Sequence, residues 1–183
     1  IGIVKRLPMG AGLGGGSSDA ATTLIVLNRL WHTGLPRDRL QQLALKLGAD
    51  VPVFVFGRNA FAEGIGERLQ ALPLAPAWYL ILVPELAVST AEIFSSAELT
   101  RNTNAITIAA FSVGQGRNDL EPVVCRRYPL VARHLEWLRR YGDARMTGSG
   151  ACVFCAFDSA ERARRVLSEL PADMRGFVAR GLD

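Results

Sequence analysis

Residues 6–19, Arg6-Leu-Pro-Met-Gly-Ala-Gly-Leu-Gly-Gly-Gly-Ser-Ser-Asp19, decide how this chain is read. Five of the seven positions from Gly10 to Gly16 are glycine, a density that no helix or strand interior tolerates, because each glycine raises the entropic cost of ordering the backbone. The stretch is a specialised loop. Upstream, Ile1 to Lys5 reads as the end of a strand. Downstream, Ser17 is a good N-cap, Asp19 lies in the first turn, and Leu24, Leu27, Leu30 and Trp31 recur at helical spacing. This predicts a helix from about Ser18 to Trp31. Backbone N–H groups in such a loop can turn inward because no Cβ blocks approach, and the helix behind adds the positive end of its dipole. The combination makes an anion site.

Several patterns compete for this loop. A Walker A loop ends in Gly-Lys-Ser/Thr, but Ser17-Ser18 follows Gly16 with no lysine. Gly10-x-Gly12-x-x-Gly15 has dinucleotide spacing, yet that fingerprint needs a second strand ending in an acidic residue about 20 residues on. Here a second helix stands in that place, with Asp38 in its first turn. A flexible Gly/Ser linker would not sit between a basic strand end and a capped amphipathic helix. The remaining pattern is Pro-x-x-x-Gly-Leu-Gly followed by serines at a helix start. In it Pro8, Gly12, Leu13, Gly14, Ser17 and Ser18 resemble the loop of the GHMP kinase superfamily.

Outward from the loop, a second helix starts near Pro36, carries Leu40, Leu43, Ala44 and Leu47 on one face, and stops at Gly48 with Lys46 in its last turn. Asp50 follows. Val51 to Phe56 is apolar, and Gly57, Gly64 and Gly66 around Ala60 to Glu63 suggest short strands joined by turns. Leu72-Pro-Leu-Ala-Pro76 suits neither helix nor sheet interior and is read as the domain junction. Beyond it come a buried strand at Trp78 to Val83 and a capping box, Ser89-x-x-Glu92, opening a helix through Phe94. Helical patterns follow at Ala105 to Phe111 and Pro129 to Arg140. Arg145 to Thr147 leads into the small-residue turn Gly148-Ser-Gly150. Next come an alternating strand through Val153, Cys155 and Phe157, a helix capped by Asp158-x-x-Glu161, and a last strand at Phe177 to Ala179.

With 183 residues, 49% hydrophobic and 21% charged, the chain is globular and sized for one domain or two small ones, at roughly 100–200 residues per domain. No apolar run approaches the roughly 18 residues a membrane span needs. Net charge is +4 with only two lysines, Lys5 and Lys46, which permits an anionic ligand and is far from the density of a nucleic-acid binder. The arginines from Arg126 to Arg145 fall on the polar face of an amphipathic helix with no aromatic stacking platform, so a solvated face is expected. Three cysteines argue for a reducing compartment, hence the cytoplasm. Cys152 and Cys155 would face opposite sides of a strand and form neither a disulfide nor a metal pair. His32 and His134 carry no ligand spacing. Ile1 lies inside the first strand without an initiator Met, so an N-terminal portion, with any targeting peptide, is expected to precede it.

Chemistry at a hydroxyl acceptor needs a carboxylate to take the proton. By local sequence Asp50 is equally a candidate base and an N-cap for a short helix with Pro52 in its first turn. Ser17 and Ser18 can both cap a helix and reach a phosphate. Thr90 and Phe94 share one helical face and suit either packing or ligand contact.

Together with the loop, Leu47-Gly-Ala-Asp-Val-Pro-Val-Phe54, Phe61-Ala-Glu-Gly-Ile-Gly-Glu67, Arg101-Asn-Thr103, Asn118-Asp119 and Thr147-Gly-Ser-Gly-Ala-Cys-Val-Phe154 extend the resemblance along nearly the whole chain. Within the GHMP superfamily they are similar to the kinases of 4-diphosphocytidyl-2-C-methyl-D-erythritol. Ala11, Asp19 and Ser149 depart slightly from the common pattern. The resemblance implies an α+β, two-domain GHMP fold with ATP and substrate in the interdomain cleft. Residues 1–74 would be the remainder of the N-terminal domain, and 75–183 a ferredoxin-like C-terminal domain. It implies an ATP-dependent small-molecule kinase of non-mevalonate isoprenoid synthesis that phosphorylates its substrate's 2-hydroxyl with Mg2+. Asp50 would be catalytic. Pro8, Met9, Gly10, Ala11, Gly12, Leu13, Gly14, Gly15, Gly16, Ser17 and Ser18 would bind ATP, Ser18 the metal, and Thr90, Phe94, Gly148, Ser149 and Gly150 the substrate. A kinase for another small alcohol, such as homoserine or mevalonate, and a non-catalytic nucleotide-binding module are the alternatives. Neither nucleic acid nor a membrane is an expected partner, and monomer and homodimer are both compatible with the sequence. The family's first motif, with a lysine near the acceptor hydroxyl, would fall before Ile1.

Overall fold

The computed structural model describes residues 1–8, 10–112 and 116–182. The chain forms two compact units: residues 14–75 with Leu182, and residues 1–13 with 76–181.

The first unit is built on helices. α1 spans Gly15–Leu30, α2 Arg37–Leu45 and α3 Val51–Phe56, and a hairpin pairs β1 (Ala60–Glu63) with β2 (Arg68–Ala71). Ala21, Leu40, Ala44, Val51 and Val55 form its core, with Ala20, Leu24 and Leu35 packed against it. Only part of the expected apolar stripe is used, since Leu30, Trp31 and Leu47 are exposed. The apolar run 51–56 is a helix, with Pro52 in its first turn, where a missing N–H costs nothing. α1 begins three residues before the expected start. Gly14, in the left-handed region, is its N-cap, so Ser17 sits inside the first turn and Asp19 beyond it.

The second unit is a four-stranded antiparallel sheet with helices. β3 is Trp78–Leu82, β4 Ala144–Met146, β5 Val153–Phe157 and β6 Gly176–Arg180, in the order β4-β5-β3-β6. α4 (Thr90–Ser95), α5 (Ile108–Ser112), α6 (Glu121–Arg127) and α7 (Pro129–Arg139) lie between β3 and β4, and α8 (Ala160–Ser168) between β5 and β6. This is the expected ferredoxin-like β-α-β-β-α-β arrangement. Alternation sends Leu80, Leu82, Val153 and Cys155 into one cluster with α7, while Ile81 and Phe154 join Ala11 and Cys152 in another. Cys152 and Cys155 thus lie in different clusters, both as free thiols that burial pushes up in pKa, Cys152 to about 11.

Other expectations are corrected. Residues 1–5 belong to neither sheet, and a strand requires a ladder. The 105–111 pattern yields only the short α5, and α6, for which no helix was expected, carries Pro122 in its first turn. α8 is capped by Ser159 and not by Asp158: Ser159 has an extended backbone and its hydroxyl accepts the Arg162 amide at 3.2 Å. The solvated arginine face needs no such correction: Arg126, Arg133 and Arg139 stay exposed while pairing with Glu98, Asp173 and Glu121.

Candidate functional site

The glycine loop has a periodic backbone. Gly10, Gly12 and Gly14 have φ of 68°, 72° and 64°, with Ala11 and Leu13 in between on the ordinary side of the map. The sign of φ thus alternates along the loop, as it does in backbone nests that gather N–H groups around anions. Leu13 is half-buried and Ala11 buried, both packed with Ile81 and Cys152, so the Ala11 methyl fills a core place. Met9 lies outside the described residues, and Pro8 is exposed.

At Gly14 the loop opens into α1. The Ser18 amide makes the first helical hydrogen bond, to the Gly14 carbonyl at 2.9 Å, so the amides of Gly15, Gly16 and Ser17 precede the ladder. They carry the positive end of a 16-residue helix with no acidic residue in its first turn. A Cβ at Gly14 would stand 2.8 Å from the Phe54 ring of α3, which closes the helix start against its neighbour. Ser17 and Ser18 are half-buried. Among the described residues no group of His, Cys, Asp or Glu could hold a metal ion. The Ser18 hydroxyl is a hard oxygen of the type Mg2+ takes, an ion commonly held by few protein oxygens together with substrate phosphates.

Asp50 occupies the N-cap position of α3, yet its side chain makes no capping hydrogen bond and is exposed. The loop before it is fixed on two sides. The Val51 amide donates to the Gly48 carbonyl at 3.2 Å, and the β1–β2 turn brings Gly66 against the Ala49 carbonyl. Within that turn a Glu67 carboxylate oxygen accepts the Ile65 amide at 2.7 Å, and backbone N–H donors hold this carboxyl below its usual pKa.

The third cluster is the β4–β5 turn in the other unit. The Asn118 side-chain nitrogen donates to the carbonyls of Gly148 (2.7 Å) and Met146 (3.2 Å) while its oxygen accepts the Leu120 amide at 3.0 Å. Glu121 accepts the Met146 amide at 3.0 Å. Ser149 Oγ lies 2.8 Å from Thr90 Oγ1 at the start of α4. Ser89 caps that helix, and Arg101 donates to the carbonyls of Phe94 and Ser96 at its other end. Phe94 is 55% exposed. Gly12 lies against this turn, since a Cβ there would stand 2.5 Å from the Thr147 carbonyl and 2.9 Å from that of Gly150.

The structure thus brings Gly12 to Gly148–Gly150, Ser149 to Thr90, and Gly14 to α3, whose N-terminus carries Asp50. Sequence reasoning missed the roles of Thr147, Asn118 and Glu121. Thr147 and Asn118 stood inside quoted motifs, but nothing in their spacing told what they touch.

Models of the GHMP kinases N terminal domain and the GHMP kinases C terminal match residues 1–58 and 97–176. The chain is 66% identical over its whole length to 4-diphosphocytidyl-2-C-methyl-D-erythritol kinase of Thiobacillus denitrificans and spans 66% of that protein, just under two thirds. A crystal structure of 4-(cytidine 5'-diphospho)-2C-methyl-D-erythritol kinase superposes with a TM-score of 0.82 at 34% identity, covering 96% of this chain and 68% of the other. The crystal structure of homoserine kinase from Cytophaga hutchinsonii matches at 0.72 with 16% identity, covering 97% and 68%, a likeness of fold alone.

Proposed function

This chain belongs to the GHMP kinases, in the branch of the 4-diphosphocytidyl-2-C-methyl-D-erythritol kinases, and on that premise we propose that it phosphorylates the 2-hydroxyl of 4-diphosphocytidyl-2-C-methyl-D-erythritol from ATP. The reaction is a step of non-mevalonate isoprenoid precursor synthesis, which we assign to the cytoplasm. The observation that carries the reading is the run of left-handed glycines 10, 12 and 14 leading straight into α1, whose first three amides precede the helical ladder. These donors hold triphosphate oxygens, Gly15, Gly16 and Ser17 through their N–H groups, in the manner phosphates bind helix starts. Ser18 presents a hydroxyl to Mg2+, which when bound neutralises charge on the phosphates. We divide the chain functionally after Leu74, between the two segments matched by family models.

Asp50 accepts the proton of the 2-hydroxyl. The new bond joins that oxygen to the γ-phosphorus, the β–γ bridging bond breaks, and ADP leaves with its electron pair. A carboxylate that caps nothing while its loop is held by Gly48 and Gly66 supports this role. Thr90, Phe94 and the Gly148–Gly150 turn hold the cytidine and its erythritol arm. The test is ADP release with a panel of alcohols. Turnover with the cytidylyl substrate and none with methylerythritol, homoserine or mevalonate is expected. Preference for another alcohol would replace the substrate, and nucleotide binding without turnover on any would reduce the protein to a binding module.

A further inference from the structure

We propose that Thr147 is a positioning residue that couples the glycine loop to the Ser149–Thr90 pair, so that nucleotide and acceptor strengthen each other's binding; this rests on the kinase reading above. Thr147 Oγ1 lies 3.1 Å from the Ala11 carbonyl of the glycine loop and 3.1 Å from the Cys152 carbonyl, and its single proton serves one of them at a time. The Cys152 amide donates to the same Ala11 carbonyl at 3.2 Å. The Gly12 backbone is so close that a Cβ there would stand 2.6 Å from Thr147 Oγ1. The loop and Thr147 are therefore in direct contact at both Ala11 and Gly12.

From Thr147 the connection continues through the turn. The Thr147 carbonyl accepts the Gly150 amide at 2.7 Å, Asn118 pins the Gly148 carbonyl, and Ser149 meets Thr90. A ligand that orders Ser149 and Thr90 thereby orders the turn, and the turn orders Ala11 and Gly12. Coupling of binding free energies is reciprocal, so the phosphate loop must favour the acceptor by the same factor. Without the hydroxyl both carbonyls keep a backbone donor, Ala11 from the Cys152 amide and Cys152 from the Thr147 amide at 2.9 Å.

The test is calorimetric titration of the intact enzyme with the β,γ-imido analogue of ATP, with and without saturating 4-diphosphocytidyl-2-C-methyl-D-erythritol. The wild type should bind the analogue roughly fivefold or more tighter when the acceptor is present, the lower end of typical coupling. Thr147→Val should lose this enhancement while binding each ligand alone, and Thr147→Ser should keep it. A wild type without enhancement, or a valine variant that retains it in full, would overturn the proposal. If the valine variant does not fold, amide exchange in the wild type decides: acceptor alone should slow exchange at Gly12 and Leu13, and unchanged exchange there overturns the coupling. A wild type that binds neither ligand alone would remove the kinase reading, and the coupling with it.

Discussion

Gly66 lies against the carbonyl of Ala49: a β-carbon at Gly66 would stand 2.8 Å from that oxygen, and its φ of 109° is one that side-chain-bearing residues rarely adopt. The hairpin turn is thus a brace for the residue immediately before Asp50. Gly66→Ala should cost about 1–3 kcal/mol, the range for a residue forced into such backbone space. Turnover should fall with little change in ATP affinity. Urea unfolding beside steady-state kinetics checks both, and an alanine variant as stable as wild type would remove the brace.

Asp50→Asn separates proton transfer from capping. Because the Asp50 side chain makes no cap hydrogen bond, the exchange should leave the melting temperature unchanged. Turnover should drop by about 10²–10⁴, the usual worth of a positioned base. Single-turnover phosphoryl transfer is the measurement, and wild-type rates would end the assignment.

The three left-handed glycines of the loop should differ in sensitivity. Gly10→Ala meets open space and pays only for its φ, about 1–2 kcal/mol. Gly14→Ala meets the Phe54 ring, a side chain that can shift, whereas Gly12→Ala meets the backbone of Thr147 and Gly150, which cannot. Loss of ATP affinity should therefore rank Gly12 above Gly14 above Gly10 by calorimetry. Equal losses would contradict the close approach at Gly12.

Phe94→Ala should raise the KM for the cytidylyl substrate and leave that for ATP and the melting temperature nearly unchanged, since the ring is largely exposed and contributes little packing. A large loss of stability without a KM effect would make Phe94 a packing residue.

His134 is buried, with Nδ1 facing the Leu130 carbonyl at 2.7 Å, and burial lowers its pKa below the ordinary value. The unfolded chain binds a proton there more readily than the folded one. Its contribution to stability is therefore full above the ordinary pKa of about 6.5, declines as pH falls below it, and levels off under the folded pKa. The melting temperature of wild type should fall more between pH 8 and pH 5.5 than that of His134→Gln. Parallel profiles would show that His134 does not titrate on unfolding.

What the sequence by itself determined rests on local chemistry. Glycine density announced the anion loop between residues 10 and 16, periodicity placed α2 and α7, a buried apolar run placed β3 and alternation placed β5, because these signals need only a residue and its near neighbours. The same locality explains the misses. A left-handed Gly14 can start α1 before any capping serine, and the short helix at 51–56, which local sequence left as one of two even readings, forms because its apolar face meets α1 and α2. Only the tertiary structure decided that Gly10, Gly12 and Gly14 are all left-handed, that Asp50 caps nothing, and that Thr147 reaches Ala11 across 136 residues of chain. That last contact depends on residues 10–13 packing beside Ile81 and Cys152 and on the register of β5 between β3 and β4. No spacing along the chain encodes such a meeting, since it exists only once the sheet has closed and brought distant backbone within hydrogen-bond range.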